Sequence, residues 1–189
     1  MAAKELAPFF ENNISINLII IEKRNAYQHN AGGLRGLVSP GYENQIVVNY
    51  DKWLDAKKGS KLVIGEAVDI KKGGEGNNQF IVTTDSGEEI VGDAVILATG
   101  AGQNQLGKTG DELTTDVQMK PYFKDYQEKI AKAKKVVIIG GGPVGIEMAG
   151  ELKHFHPSVE VTVIHRGAAL CSLASSAATK KFQNHMIKI

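Results

Sequence analysis

An α/β fold built on parallel strands is predicted for this chain by three observations. The apolar run VVII at 136–139 ends in the glycines of GGGPVG, with Gly140, Gly142 and Gly145 in the spacing G-x-G-x-x-G. A helix-like segment at 143–154 follows, and Pro157 leads on to a β-branched strand at 159–165, so the glycines sit in a strand, turn, helix, strand unit. Far upstream, the continuous apolar run INLIII at 16–21 reads as another strand buried on both faces, and it ends in the acid Glu22.

The glycine turn has a chemical use. Backbone N–H groups at the start of a helix lack intrahelical acceptors, so dipole and hydrogen bonds together hold a pyrophosphate lying over them. In such a turn Gly140 makes the bend, Gly142 admits the phosphate and Gly145 lets helix and strand touch. The alternative is a glycine-rich loop that binds nothing, and the flanking strands and helix weigh against it. At the end of the next strand, an acid would bond the ribose 2′-hydroxyl and repel a 2′-phosphate; the sequence has His165-Arg166 instead. That points to NADPH, or to indifference between NADPH and NADH, unless both are plain surface residues.

The opening MAAKELAPFFENN has helical spacing limited by Pro8. An acid such as Glu22 belongs about 20 residues after a glycine turn, and no such turn separates Met1 from it. The expectation is therefore a chain that begins inside the first helix of a nucleotide-binding unit, with its phosphate loop missing. An ordinary αβ pair with Glu22 as a surface acid fits this segment equally well. AGGLRGLVSPGY at 31–42 reads as a loop with a short helix around Leu34, where Arg35 is either an anion contact or a solvated side chain. Strands are expected at 45–50 and 61–68, with Trp53 and Leu54 as apolar cover between them. KKGGEGNNQ reads as a flexible connection to a hairpin, 79–84 and 88–91 around Asp85-Ser86-Gly87. AVILATG at 94–100 is read as a buried strand whose Thr99-Gly100 end brings backbone to the sheet's ligand-binding edge. The polar stretch 101–116 reads as a linker, 122–134 as an amphipathic helix through Phe123, Tyr126, Ile130 and Ala133, and 172–189 as a further helix and the start of a strand at 185.

Composition excludes several classes. Among 189 residues, 22 Lys and Arg stand against 21 Asp and Glu, a net charge of +1, so no concentrated basic face exists for a nucleic acid. The lysines at 129–135 read as the solvated end of a helix. No apolar stretch approaches a membrane span, no secretory segment is seen, and Ala2 stands where N-myristoylation needs glycine. The single cysteine, Cys171, forms no internal disulfide, CxxC pair or metal set, which suits a reducing, cytoplasmic compartment.

The stretches IIIEKRNAYQHNAGGLRGLV, EEIVGDAVILATG, KKVVIIGGGPVGIEMAGEL and VEVTVIHR together resemble the apoptosis-inducing-factor-like flavoproteins, most closely the ferroptosis-suppressor type of NAD(P)H:quinone oxidoreductase. The resemblance covers nearly the whole chain, and its most specific pieces are the ATG strand end and GGGxxGxE. It implies two Rossmann-like FAD/NAD(P)-binding domains of the pyridine-nucleotide oxidoreductase type, both incomplete: a partial FAD domain at 1–106, a linker at 107–117 and a partial NAD(P)H domain at 118–189. By that resemblance Glu22 would hold the FAD ribose, Arg35 would sit against the flavin nucleotide, Val63 would offer backbone to the adenine, and Thr99-Gly100 would pass close to FAD. Gly140, Gly142, Pro143 and Gly145 would cradle the NAD(P)H pyrophosphate, with Glu147 reaching toward the nicotinamide. Electrons would pass from NAD(P)H through FAD to a quinone-like acceptor. No side chain is assigned a catalytic or metal-binding role, and the resemblance leaves association with a membrane surface open.

Two departures qualify that activity. The first glycine fingerprint and the later family segments are absent from the sequence, and no cysteine pair follows the ribose acid, which argues against dithiol reductases. The 189-residue chain is accordingly expected not to retain FAD, whose pyrophosphate needs a glycine turn before a helix. A non-catalytic NAD(P)-binding remnant is the alternative function.

Overall fold

A computed structural model of the protein describes residues 17–50, 60–73, 78–100, 106–167, 169–171, 177 and 180. In chain order they form β1 (Leu18–Glu22), β2 (Ala26–Gln28), a 3-10 turn (Asn30–Gly32), α1 (Gly33–Val38), α2 (Glu43–Ile46), β3 (Val47–Asn49), β4 (Ser60–Ile64), β5 (Ala67–Lys72), β6 (Phe80–Thr84) and β7 (Glu89–Gly92). After these come α3 (Asp116–Lys132), β8 (Lys135–Ile139), α4 (Pro143–Phe155) and β9 (Glu160–Ile164). The chain divides into two units: Met1–Tyr27 with Val48–Gln103 and Asp111–Asp116, and Gln28–Val47 with Asn104–Gly110 and Val117–Ile189. Both units are discontinuous in sequence. The expected helix over the first residues, the Trp53-Leu54 cover and most of the stretch after Cys171 lie outside the described residues.

In the first unit β1 and β4 run parallel, from Leu18 opposite Ser60 to Glu22 opposite Ile64, the pairing that a continuous apolar run implies. The single strand expected at 61–68 is two strands. At Gly65-Glu66 the chain leaves the parallel pair for an antiparallel meander, pinned where Glu66 N–H donates to Asp85 Oδ1 (3.0 Å) and Asp85 N–H to the Glu66 carbonyl (2.8 Å). There β5 pairs with β6 and β6 with β7. The β6–β7 hairpin turns as the sequence predicts, with Gly87 at φ +83°. Residues 94–100 are a correction: they belong to no ladder, and Ile96 and Leu97 are 67% and 73% exposed. An apolar run becomes a strand only when its N–H and C=O groups find a partner, and among the described residues none pairs with this one.

The second unit holds α1, buried along most of its length at Gly33, Leu34, Gly36, Leu37 and Val38. Its C-terminal end is held by the buried Gln127, whose Nε2 donates to the carbonyls of Gly36 (2.7 Å) and Ser39 (3.0 Å) and to Glu43 Oε2 (3.1 Å). This network corrects the strand expected at 45–50: a helical turn, α2, brings the buried Glu43 carboxylate under that amide, and the strand begins only at Val47. Within the stretch expected to link two domains, Thr109 is buried; its N–H donates to Gln28 Oε1 (3.1 Å), while Gln28 Nε2 donates to the Gly107 carbonyl (2.9 Å). The helix expected at 122–134 is α3, and it starts at Asp116. Pro121 lies inside it, where the N–H it lacks leaves the Val117 carbonyl without its intrahelical donor. Its buried stripe is Met119, Phe123, Gln127 and Ile130. After α3, β8 and β9 pair in parallel from Lys135 opposite Glu160 to Ile139 opposite Ile164, with α4 as the crossover. Ile138, Met148, Ala149 and Leu152 fill the core between helix and strands.

Candidate dinucleotide site

Each glycine of the turn after β8 has its own geometric reason. Gly140 has φ +115°, a conformation that strains any residue with a Cβ, and its N–H donates to the Ile164 carbonyl (2.8 Å), carrying the ladder one residue past Ile139. Gly142 is extended (φ −78°, ψ −176°) and caps α4, and Pro143 fills the first helical position, where its missing N–H leaves nothing unpaired. A methyl group on Gly145 would run into the Gly140 carbonyl and lie 3.4 Å from Ile138 Cγ2, so only glycine lets α4 approach β8 this closely. A methyl on Gly142 would meet nothing within 4 Å, so the outer side of the turn is open. The first intrahelical bond, Ile146 N–H to the Gly142 carbonyl (3.0 Å), leaves the N–H groups of Val144 and Gly145 ahead of it, at the positive end of the helix dipole.

The remaining candidates of this unit are arranged around that turn and along α4. Glu147 is exposed on α4, and Arg166 is exposed just beyond β9. His165 is half-buried, and its Nδ1 accepts the N–H of Gly141 (3.2 Å). Arg35 lies with the C-terminal half of α4: its Nε donates to Glu151 Oε2 (3.0 Å), its Nη2 to Oε1 (2.9 Å), and its guanidinium stands over the Tyr42 ring at 5.7 Å. The hydrogen bonds and charge of Glu151 raise its pKa further. His156 Nε2 adds a contact to the Val38 carbonyl (2.9 Å), so α1 and α4 are joined at two points.

The first unit holds the other candidates. Glu22 accepts the Arg24 N–H on Oε1 (3.1 Å) and the Tyr50 hydroxyl on Oε2 (3.4 Å). Burial, and after it the Glu22 carboxylate, pushes the Tyr50 hydroxyl well above its ordinary pKa, which keeps it a donor. Val63 is buried in the neighbouring strand, opposite Ile21. Thr99 and Gly100 are exposed and outside any ladder, with Gly100 at φ +74°. The structure thus gathers Gly140, Gly142, Pro143, Gly145 and His165 at one strand end, and Glu22 and Val63 at another. Sequence reasoning passed over Gly141, Glu151, Gln28 and Gln127. The first sits at a variable position of the motif, and the other three act on partners between 79 and 116 residues away.

A parallel β-α-β unit with a glycine turn at the carboxyl end of its first strand defines a dinucleotide-binding protein of the α/β class. The family described as Pyridine nucleotide-disulphide oxidoreductase matches residues 3–189, and the chain belongs to it. Among curated proteins it is 32% identical over 173 residues to ferroptosis suppressor protein 1 of Xenopus laevis, covering 91% of this chain and 42% of that protein. It is 27% identical over 186 residues to apoptosis-inducing factor homolog A of Dictyostelium discoideum, covering 95% and 42%. The chain thus spans less than half the length of these relatives, and its likeness is to the apoptosis-inducing-factor-like members. In fold it resembles the ferredoxin reductase for the CYP199A2 system from Rhodopseudomonas palustris, with a TM-score of 0.70 at 18% identity over 99% of this chain and 46% of that one. It also resembles a NAD-dependent persulfide reductase from A. fulgidus, with a TM-score of 0.61 at 18% identity over 98% and 36%. FAD and NAD(P)H are the cofactors that go with this family and fold. Among the described residues, no helix is long and apolar enough to cross a membrane.

Proposed function

We propose that this chain is the nucleotide-binding part of a FAD-dependent NAD(P)H oxidoreductase that delivers electrons to a quinone-like acceptor. The observation that carries the reading is the turn at 140–145, strained where only glycine fits, packed where only glycine fits and open on its outer side. In this role the amides of the first turn of α4 hold the NAD(P)H pyrophosphate, Gly142 leaves room for it, and Glu147 lies toward the nicotinamide. Arg166, where an acid would exclude a 2′-phosphate, favours NADPH at least as well as NADH. Toward FAD, Glu22 fits a ribose hydroxyl, since Arg24 and Tyr50 already fix its carboxylate at a strand end; Val63, Thr99 and Gly100 are the other contacts proposed in that unit, and Arg35, paired with Glu151 in the second unit, is kept only as an anion contact by the family resemblance. When bound, FAD supplies the hydride acceptor and the relay to the quinone. We assign 1–106 to the FAD side, 118–189 to the NAD(P)H side, and a cytoplasmic site of action that includes membrane surfaces, where quinones reside.

A non-catalytic NAD(P)-binding module is the second reading, favoured by the absence of any ladder at Thr99-Gly100. One experiment separates the two: titrate NADH and NADPH into the purified chain and its Gly142→Val variant, then assay reduction of a soluble quinone with FAD added. Nucleotide binding lost in the variant, together with quinone reduction, supports the oxidoreductase. Binding without reduction leaves the module. If neither nucleotide binds, or Gly142→Val binds as the parent does, the site is misassigned.

A further inference from the structure

The corner expected to recognise the ribose and the turn expected to hold the phosphates share one side chain. His165 Nδ1 accepts the Gly141 N–H at 3.2 Å, which leaves Nε2 as the ring nitrogen free to donate. The chain then folds back on the same glycine: Cys171, itself buried, donates its N–H to the Gly141 carbonyl at 2.9 Å. Gly141 is therefore tied through both its N–H and its C=O to the segment that follows β9. The fit is close on both sides of the ring. A methyl on Gly141 would come within 2.9 Å of His165 Cγ and 2.5 Å of Leu170 Cδ2, and one on Gly167 within 2.9 Å of His165 Nε2. Gly141 is buried, whereas Arg166 is exposed.

We infer that His165 is a positioning residue for the glycine turn, not a ligand of the ribose 2′ position, and that Arg166 alone of the pair meets a 2′-phosphate. Gly141 joins Gly140, at φ +115°, to the extended Gly142, and its two peptide planes set where the following N–H groups point. Left untied, that short run of glycines would have to be ordered when the nucleotide arrives, at an entropic cost paid equally by NADH and NADPH. In its effect on nucleotides this rests on the NAD(P)H reading above, but the tie itself can be measured without any nucleotide.

The test uses the whole 189-residue chain, 15N-labelled, with His165→Ala, His165→Asn and Arg166→Ala. In the nucleotide-free parent, the Gly141 amide is expected to exchange slowly and His165 to show its proton on Nε2; in His165→Ala the Gly141 amide exchanges fast. Titrations of the parent and variants should show His165→Ala weakening NADH and NADPH alike, by about tenfold, which is about 1.4 kcal/mol. His165→Asn, whose side-chain oxygen can accept the same N–H, should recover much of that loss, and Arg166→Ala should weaken NADPH alone. A loss confined to NADPH in His165→Ala overturns the assignment, as does Gly141 exchange that is the same in parent and His165→Ala. A parent that binds neither nucleotide removes the NAD(P)H reading, and the tie then stands or falls on the exchange and the ring proton.

Discussion

Gly145 and Gly150 lie on one helix, and a single methyl group should act on them in opposite directions. At Gly145 it would overlap the Gly140 carbonyl, and relief requires α4 to move off β8. Such overpacking costs about 1–3 kcal/mol, which for a chain of this size lowers Tm by roughly 2–12 °C. At Gly150 the added methyl meets nothing within 4 Å in an exposed helix interior, and the gain in helix propensity is about 0.5–1 kcal/mol. Thermal melts of Gly145→Ala and Gly150→Ala should therefore shift to opposite sides of the parent, with nucleotide binding lost only in the first. Equal shifts would mean that α4 does not sit where the glycine spacing puts it. At this scale the sequence was most informative about conformation: the three motif glycines stand at a strained, an open and a crowded position. It was silent about the tie between His165 and Gly141, because a side chain closing on a backbone 24 residues away leaves no periodic trace.

The helices and strands were legible where their own pattern decided them and blurred where a distant partner did. The β6–β7 hairpin has its turn written into Asp85-Ser86-Gly87, and the crossover from β8 to β9 has its glycines and proline. By contrast, residues 45–50 look like a strand, yet Glu43–Ile46 is helical because a buried carboxylate must meet Gln127. The run at 94–100 has the composition of a buried strand and lacks the neighbour that would make it one. Gln127 offers a direct test of how much one amide organises. Gln127→Met keeps the volume and removes the donor shared by Gly36, Ser39 and Glu43; Ser39 keeps the Tyr42 N–H, but the buried Gly36 carbonyl and Glu43 Oε2 lose this partner, at a cost of about 1–3 kcal/mol, and more where the acceptor is charged. The urea midpoint should fall with the slope unchanged. An unchanged midpoint would show that water satisfies those groups and that the network is incidental.

Over the whole molecule, alkaline pH acts on both units through half-buried phenols. Burial raises the Tyr122 hydroxyl to about 12, with Tyr126 as the next cause, and Tyr50 is raised in the same direction by burial and Glu22. The unfolded chain loses these protons near pH 10 while the folded chain keeps them, so the unfolded state binds fewer protons and stability falls as pH rises from 10 through about 12. Tyr50→Phe and Tyr122→Phe should each flatten that fall, followed by denaturant melts alongside tyrosinate absorbance. A slope that survives both changes would place its origin elsewhere. The α/β class and the β-α-β unit around the glycine turn could be read from the sequence. The discontinuous division of the chain could not, since Gln127 and Arg35 tie 33–43 to the later helices through single polar side chains.

The ties that shape the glycine turn also dictate when it can form. Gly140 closes on Ile164 and Gly141 on Cys171, partners separated by 24 (164 − 140) and 30 (171 − 141) residues. No local segment can fold into this cradle by itself: α4 must first be wound, β9 laid beside β8, and the chain carried on past His165. Loop-closure entropy is met before either bond is made, which puts the cradle late in folding and behind the parallel pair. A nascent or partly unfolded chain will thus possess the helix, and even the strand, well before it possesses a place for a nucleotide. If the turn holds NAD(P)H as proposed, cofactor capture reports completed folding, and the nucleotide acts as a thermodynamic ratchet that holds the final step closed.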